Sequence, residues 1–113
     1  MSMNLGERLA REYLVAQGLE FITANFRLRL GEIDLIMRDG EFLVFVEVKY
    51  RTSDRYGTSV EQVTPAKRRK IKLVAQAYLQ RYPALGAFVR FDVLGISPAE
   101  TGYRFNWVKG AFE

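Results

Sequence analysis

Apolar residues recur along this chain with two periods, and the change between them separates helical from extended segments. Near the start, the apolar positions have helical spacing: Leu5, Leu9, Ala10, Tyr13 and Leu14. Asn4 and Glu7 have the spacing of a capping box, and Gly18 is suited to end this helix. A second helical stripe follows the cap and first-turn proline of Thr64-Pro65 and ends before Pro83. The sequence therefore predicts two helices.

Five further segments have the patterning of strands, at residues 19–25, 32–38, 41–50, 88–96 and 103–109. The second and third flank the turn dipeptide Asp39-Gly40, which predicts a hairpin. The polar stretch 51–63 has no clear period and predicts a long loop. Because the second helix must cross over the sheet, we expect the fourth strand to run parallel to an earlier one. The predicted fold class is α/β, with a mixed central sheet flanked by helices.

The composition is that of an ordinary globular protein, and it limits the available chemistry. The 113 residues are 49% hydrophobic and 27% charged, which suits one domain spanning residues 1–113. The sequence contains no cysteine and no histidine. Disulfides, thiolate zinc sites, imidazole bases and Ser-His catalytic pairs are therefore excluded, and any metal must be held by oxygen.

Net charge and the length of the apolar runs bear on partners and location. Seventeen Lys and Arg residues against thirteen Asp and Glu residues give a formal net charge of +4, a mild bias toward polyanions. The longest apolar run, 42–46, is far too short to span a bilayer, and the start at Met1 has no signal-peptide pattern. We therefore expect a cytoplasmic protein with no membrane partner.

The third predicted strand changes from apolar to ionic toward its end. Side chains alternate along a strand, so Glu47 and Lys49 share one face. Symmetric pairing about Asp39-Gly40 puts Glu32 opposite Glu47 and makes Asp34 a diagonal neighbour of Glu47, about 7–8 Å away. Two carboxylates at that spacing can hold one oxygen-seeking cation such as Mg²⁺ or Mn²⁺. Without a cation, they would repel each other where burial already disfavours charge.

The acidic motif resembles that of a known nuclease superfamily. Gly31-Glu32-Ile33-Asp34-Leu35-Ile36 followed by Glu47-Val48-Lys49, with thirteen residues from Asp34 to Glu47, resembles the restriction-endonuclease-like PD-(D/E)xK nucleases. The predicted αβββαβ order resembles their core. With Lys67-Arg68-Arg69-Lys70-Ile71 and Arg90-Phe91-Asp92-Val93, the chain is similar to a widespread, mostly uncharacterised bacterial family of predicted endonucleases, itself similar to archaeal Holliday-junction resolvases. One departure is Ile33 where the superfamily motif has proline.

The resemblance implies a Mg²⁺- or Mn²⁺-dependent DNA endonuclease that acts on branched or otherwise structured DNA. Asp34 and Glu47 would be metal ligands, aided by the backbone carbonyl of Val48, and Lys49 would orient or polarise the attacking water. Glu7 matches an extra acidic residue of the resolvases, although it fits helix capping equally well. The related resolvases are homodimers, which makes a homodimer the expectation here. The alternatives are a nucleic-acid-binding module of the same fold without hydrolytic activity and a protein-interaction domain.

The start of the second predicted helix is strongly basic. Five cations lie in its first two turns: Lys67, Arg68, Arg69, Lys70 and Lys72. Cations are disfavoured at a helix N-terminus, so their presence suggests a nearby anion, although a solvated basic face is the plain alternative. The preceding loop adds Arg51 and Arg55. We expect five of these side chains to contact DNA phosphates: Arg51, Arg55, Lys67, Arg68 and Lys70.

Four other polar residues have weaker signals. We expect Glu32 to be solvated or to support the ligands from outside rather than to bind the metal. Gln62 lies close enough to the second helix to contact the site or its substrate. Asp92 alternates with apolar residues, which favours a buried and hydrogen-bonded structural role over a catalytic one. Lys49, beside two carboxylates, is expected to stay protonated.

Overall fold

The computed structural model describes residues 3–52, 59–83 and 88–113. Its elements are α1 (Leu5–Ala16), β1 (Glu20–Leu28), β2 (Gly31–Asp39), β3 (Phe42–Tyr50), α2 (Pro65–Arg81), β4 (Phe88–Pro98) and β5 (Tyr103–Phe112). The predicted order of helices and strands is confirmed, and several strands extend a few residues beyond their predicted ends. None of the helices within these ranges is long and apolar enough to cross a bilayer.

The strands form one mixed sheet in the order β1-β2-β3-β4-β5. Neighbouring strands are antiparallel except β3 and β4, which are parallel. The α2 helix makes the crossover that this parallel pair requires. The predicted mixed α/β fold is therefore confirmed, and it is compatible with an αβββαβ core.

Both helices begin at the predicted caps. The Asn4 side chain accepts a hydrogen bond from the Glu7 amide at 2.8 Å, and the Glu7 carboxylate accepts one from the Asn4 amide at 3.1 Å. This is the reciprocal capping box. At α2, the Thr64 hydroxyl accepts from the Lys67 amide at 3.2 Å, and Pro65 occupies the first helical position. The two caps fix where Glu7 and Lys67 leave their helices.

Each face of the sheet is covered by a helix, which explains why the centre of β3 is apolar on both faces. The core on the α1 side contains Leu14, Leu35, Met37, Val44, Val46 and Leu94. The core on the α2 side contains Ile36, Leu43, Phe45, Ile71, Val74 and Val93. The apolar layers hold the strand ends rigidly, so that ionic groups beyond them have fixed positions.

The register of the β2–β3 hairpin differs from the prediction by two residues. Asp39 pairs with Phe42, so the turn is Gly40-Glu41 rather than Asp39-Gly40. Gly40 has φ of +59°, as required of a glycine at the first position of a tight hairpin turn. The predicted pairing of Glu32 with Glu47 is therefore wrong. A shift of two residues alone would keep Asp34 and Glu47 on one face, but the alternation of β2 is interrupted between Ile33 and Leu35. Asp34 lines a cavity with Glu7 of α1, whereas Glu47 pairs with Lys67 of α2.

Side-chain alternation reverses in the middle of the β1–β2 pair. Ala24 pairs with Leu35, and both face α1. Phe26 pairs with Ile33, and both face α2. Residues two apart on a strand normally share a face, so the change from Ala24 to Phe26 and from Leu35 to Ile33 breaks the usual alternation. Asn25, between them, has φ of +54°, the left-handed region that asparagine tolerates better than most residues. The reversal lies at the edge of the candidate site.

Candidate metal centre

Asp34 lies where β2 and β3 cease to pair. The last paired residues are Leu35 and Val46, and beyond them the Asp34 Oδ2 accepts a hydrogen bond from the Val48 amide at 2.8 Å. The Asp34 side chain thus accepts from the Val48 amide in place of the backbone carbonyl of a paired strand. The corrected register brings Asp34 next to Glu47, with which its carboxyl group shares a hydrogen bond. The predicted Asp34–Glu47 proximity is therefore present in the structure.

Three carboxylates converge at this point from two elements. Glu7 of α1 and Glu32 and Asp34 of β2 each offer an oxygen, and the three oxygens lie within 4.8 Å of one another. That separation is small enough for one cation to bind all three oxygens. Glu32, expected from the sequence to remain outside the ligand set, lies inside this cluster and also forms an ion pair with Arg27.

The electrostatic environment of Asp34 strongly favours its protonated form in the absence of a cation. Burial is the largest cause, followed by the hydrogen bond and charge of Glu47, and together they raise the pKa of Asp34 to about 8. The hydrogen bond from the Val48 amide lowers the pKa of Asp34, and the negative charge of Glu7 raises it further. The site therefore accumulates more negative charge than its hydrogen bonds compensate, as expected of a cation-binding pocket.

Glu7 is both a capping residue and a member of the carboxylate cluster. Its Oε1 accepts from the Asn4 amide and, at 3.2 Å, from the Asn25 side chain. Its side chain is buried, with 6% relative exposure. The two interpretations of Glu7 from sequence are thus compatible, because the capping bond and the Asn25 bond both use one oxygen. The left-handed conformation of Asn25 brings β1 into contact with this carboxylate.

Glu47 faces the opposite side and pairs with two lysines. Its Oε2 lies 2.5 Å from the Lys67 Nζ and 3.9 Å from the Lys49 Nζ, and the side chain is only 3% exposed. Burial and the adjacent Lys67 lower the pKa of Lys49, while the charges of Glu47 and Asp34 act in the opposite direction. For Lys67, burial also lowers the pKa, but the bond to Glu47 outweighs it and the net change is upward.

A cavity of about 290 Å³ opens on the α1 side of this cluster. Its lining consists of Asn4, Leu5, Gly6, Glu7, Asp34, Val48 and Tyr50. Glu7 and Asp34 supply its charged groups, and the Val48 backbone lies at its wall. The cavity offers solvent a path to the carboxylates of Glu7 and Asp34. It brings together three of the residues predicted as metal ligands, while Glu47 reaches Asp34 from the other side of β3.

The predicted phosphate-binding residues are distributed more widely. Lys67 contacts Glu47 directly, and exposed Lys70 packs with its Cβ near Gly31. The Arg68 guanidinium donates to the carbonyls of Val63 at 2.8 Å and Val60 at 3.3 Å, and it lies over the Phe112 ring. Their contacts with DNA stay predictions.

Arg51 is half-buried at the end of β3, where its amide donates to the Ile96 carbonyl at 2.8 Å. Arg55 lies outside the described residues. Gln62 is half-buried just before α2, and its contact with the site stays a prediction.

Asp92 has the buried structural role that the sequence favours. It is fully buried and accepts from Arg90 Nε at 2.9 Å, Arg90 Nη2 at 3.0 Å, Trp107 Nε1 at 3.0 Å and the Gly110 amide at 3.0 Å. Four donors satisfy one carboxylate. Asp92 therefore joins β4 to β5.

Two features of the site were not predicted. The Asn25 contact with Glu7 has only a weak sequence signal, namely that asparagine tolerates left-handed backbone. The contact between Lys67 and Glu47 has a stronger sequence signal. Lys67 shares a helix face with Ile71 and Val74, and that face packs against the sheet. Assigning Lys67 to DNA alone overlooked that the same face leads to Glu47.

Comparison with known proteins places this arrangement in a family. The model of the uncharacterised protein family UPF0102 matches residues 6–96. A UPF0102 protein of Alkalilimnicola ehrlichii is 49% identical over 110 residues, covering 96% of this chain and 84% of that protein. A UPF0102 protein of Methylococcus capsulatus is 45% identical over 107 residues, covering 95% of this chain and 86% of that protein. One of Vibrio campbellii is 46% identical over 110 residues, covering 96% of this chain and 88% of that protein. The chain belongs to the uncharacterised protein family UPF0102.

Proposed function

We propose that this protein is a cytoplasmic, single-domain endonuclease that uses Mg²⁺ or Mn²⁺ to hydrolyse phosphodiester bonds in DNA. The observation that carries the proposal is the convergence of the Glu7, Glu32 and Asp34 oxygens within 4.8 Å, beside a buried Glu47. Such a group of carboxylates is electrostatically unfavourable alone and favourable around a divalent cation.

The donor set fits a hard cation. The site consists of carboxylate oxygens and the Val48 backbone, and the whole sequence offers no imidazole or thiolate. Oxygen ligands of this kind favour Mg²⁺ and Mn²⁺ over softer metals. Asp34 and Glu47 would hold the ion together with the Val48 carbonyl and Glu7. A bound divalent cation would make water nucleophilic near neutral pH and neutralise charge on the phosphate.

The surrounding side chains have distinct parts in this proposal. The Lys49 amine lies 3.9 Å from the Glu47 carboxylate, where it would orient the attacking water or contact a phosphate oxygen. Lys67 holds the Glu47 carboxylate in place through its ion pair. Asn25 and the Asn4 amide hold Glu7 through Oε1. Each ligand is thus anchored by a partner on a different element, a requirement for a precise metal site.

DNA as substrate is supported by the resemblance of the motif to the PD-(D/E)xK nucleases. The similarity to Holliday-junction resolvases favours branched DNA and a homodimer, because symmetric cleavage of a junction requires two sites. The basic start of α2 lies next to Glu47 through Lys67, which would bring phosphates toward the carboxylates.

A nucleic-acid-binding module without hydrolysis is the second candidate. The Lys67 ammonium lies 2.5 Å from Glu47 and already neutralises one proposed ligand. If this ion pair neutralises Glu47 so completely that no divalent cation binds, the fold would serve DNA binding alone.

Calorimetric titration with Mn²⁺ and a nicking assay on junction, flap and linear DNA test the proposal together. We expect Asp34→Asn and Glu47→Gln to lose Mn²⁺ binding and cleavage by at least 100-fold. Glu41→Gln, an exposed carboxylate in the hairpin turn, should behave as the wild type. Full DNA binding without cleavage of any of these substrates by the wild type would support the binding module instead.

A further inference from the structure

A second polar cavity lies at the same end of the sheet as Lys49. It has a volume of about 350 Å³, and its lining consists of Arg51, Ser59, Gly95, Ile96, Ser97, Arg104, Phe105 and Asn106. Lys49 pairs with Gly95, and Gly95 pairs with Asn106, so these three residues form a row across β3, β4 and β5. The cavity therefore lies in line with Lys49, one to two strands away from it.

Ser59 is the least expected residue of this cavity. It is fully buried, and its hydroxyl has no hydrogen-bond partner among the described residues. A Cβ on Gly95 would lie 2.0 Å from the Ser59 Oγ, so glycine is the residue that leaves space for this hydroxyl. Buried hydroxyl groups are normally hydrogen-bonded, and one that lines a cavity without a partner indicates that a ligand or water completes it.

The side chains at the cavity favour an anion. Arg104 supplies a guanidinium group, Ser97 and Asn106 supply neutral polar groups, and none of the described lining residues is acidic. Arg51 also lines the cavity and has a further interaction of its own. Guanidinium groups bind phosphate through paired N–H donors. A hydroxyl such as that of Ser59 can donate a further hydrogen bond to a phosphate oxygen. The described side chains that line this cavity are basic, polar or apolar, whereas the candidate metal centre is built from carboxylates.

We propose that this cavity binds a phosphate of the nucleic-acid strand, next to the phosphate that reacts at the metal centre. The inference rests on the proposed function and identifies how that strand would be held. Adjacent strands of a sheet are about 4.8 Å apart, which puts β5 roughly 10 Å from β3. A nucleic-acid strand carries one phosphate per about 3.4 Å of duplex axis, so one strand can reach both places. Arg104 and Ser59 would be positioning residues for substrate.

The test measures binding of a single-stranded DNA oligonucleotide by fluorescence anisotropy, in chelator, over a range of salt concentrations. We expect Arg104→Gln to weaken binding at least fivefold and to reduce the salt slope by about one charge. Ser59→Ala should weaken binding about two- to threefold without lowering thermal stability. Arg8→Gln removes an exposed charge from α1 and should change the affinity less than twofold.

Further measurements identify the ligand and separate this inference from the proposed function. Calorimetry with inorganic phosphate shows whether the cavity prefers a free anion; phosphate binding that is sensitive to Arg104→Gln, with unchanged DNA affinity, would overturn the inference. Equal DNA affinity of Arg104→Gln and Arg8→Gln would also overturn it, even if Mn²⁺-dependent cleavage is intact. Conversely, a protein that binds no Mn²⁺ but loses DNA affinity on Arg104→Gln would refute the nuclease and retain the subsite. In an active enzyme, Arg104→Gln should raise KM and leave kcat within twofold.

Discussion

Two aspartates on the central strands have opposite surroundings. Asp92 on β4 is fully buried and receives four hydrogen bonds, two of them from the Arg90 guanidinium. Asp34 on β2 receives one backbone amide and lies against three other carboxylates. The same side chain is therefore satisfied by donors in one place and surrounded by acceptors in the other.

The difference separates a structural group from a functional one. A buried carboxylate with a guanidinium and neutral donors is stable as an anion and joins the strands that supply those donors. A carboxylate among other carboxylates becomes stable only when a proton or a cation arrives. Burial alone does not distinguish these roles, whereas the identity of the neighbouring donors does. This comparison leads to measurements in which the two residues should respond with opposite signs.

Replacing Asp92 should have the largest effect on stability. Asp92→Asn exchanges an anion for a neutral amide and leaves the half-buried Arg90 with Asp39 as its remaining charged partner among the described residues. We expect the free energy of unfolding to fall by about 3–5 kcal/mol, as is usual when a buried ion pair loses one member. Urea denaturation followed by circular dichroism measures it. Asp39→Asn, which removes the more exposed partner of Arg90, should cost about 1 kcal/mol or less.

A loss of under about 1 kcal/mol in Asp92→Asn would contradict the structural assignment. It would mean that the Trp107 and Gly110 donors are satisfied equally well by a neutral amide, and that charge contributes little at this position.

Replacing Asp34 should have the opposite sign in metal-free protein. Asp34→Asn keeps the shape of the side chain and removes the group whose ionisation burial and Glu47 oppose. At pH 8 in chelator, we expect the free energy of unfolding to rise by about 1–3 kcal/mol, the usual cost of an uncompensated buried group. Urea denaturation at fixed pH measures it, with Glu41→Gln as the matched control. Destabilisation by Asp34→Asn would indicate that this carboxylate is a structural acceptor like Asp92.

The pH dependence follows from the pKa of Asp34, raised to about 8 by burial and Glu47. Because the folded protein retains a proton that the unfolded chain releases above about pH 4, the stability contributed by this proton is lost as pH rises toward 8. The stability difference between wild type and Asp34→Asn should therefore change across this window, by at most about 1.4 kcal/mol per pH unit, the limit for one proton. Chemical denaturation between pH 5 and 8.5 measures it.

Mn²⁺ sharpens this measurement because it competes with the proton for the same oxygens. Added Mn²⁺ should stabilise the wild type strongly at pH 8 and weakly at pH 5, and it should leave Asp34→Asn unchanged. Glu7, Glu32 and Glu47 also face this carboxylate, and the Lys49 and Lys67 ammonium groups partly offset them. Equal stabilisation of both proteins by Mn²⁺ would show that the ion binds elsewhere.

The sequence predicted the elements and the proximity of Asp34 to Glu47 more reliably than the detailed contacts. Periodicity identifies helices and strands, but it does not contain the interruption of alternation in β2, after which Asp34 lines the α1-side cavity while Glu47 pairs with Lys67 of α2. The register error arose because Asp39-Gly40 resembles a turn dipeptide, while the glycine actually occupies the first turn position. The Lys67–Glu47 pair and the reversal at Asn25 depend on tertiary packing, which no local pattern contains.

The smallest expected effect concerns Asn25, which supports the cluster without belonging to it. Asn25→Gly keeps the left-handed backbone but removes the hydrogen bond to Glu7, so we expect a loss of about 0.5–1.5 kcal/mol in stability. Asn25→Ala should cost about 1–2 kcal/mol more, because alanine is strained at φ of +54°. Denaturant unfolding of both variants separates the hydrogen bond from the backbone term.

Mn²⁺ titration of the same two variants then shows whether the Asn25 bond serves the cluster. If Asn25 positions the Glu7 carboxylate for a cation, both variants should weaken Mn²⁺ binding, by about 10-fold, since both lack the same donor. A backbone role alone would leave Asn25→Gly with the affinity of the wild type and lower only the stability of Asn25→Ala. A measured loss of Mn²⁺ affinity would set Asn25 apart from the groups around Asp92. The groups that donate to Asp92 stabilise the fold, whereas Asn25, which donates to Glu7, would stabilise the bound cation.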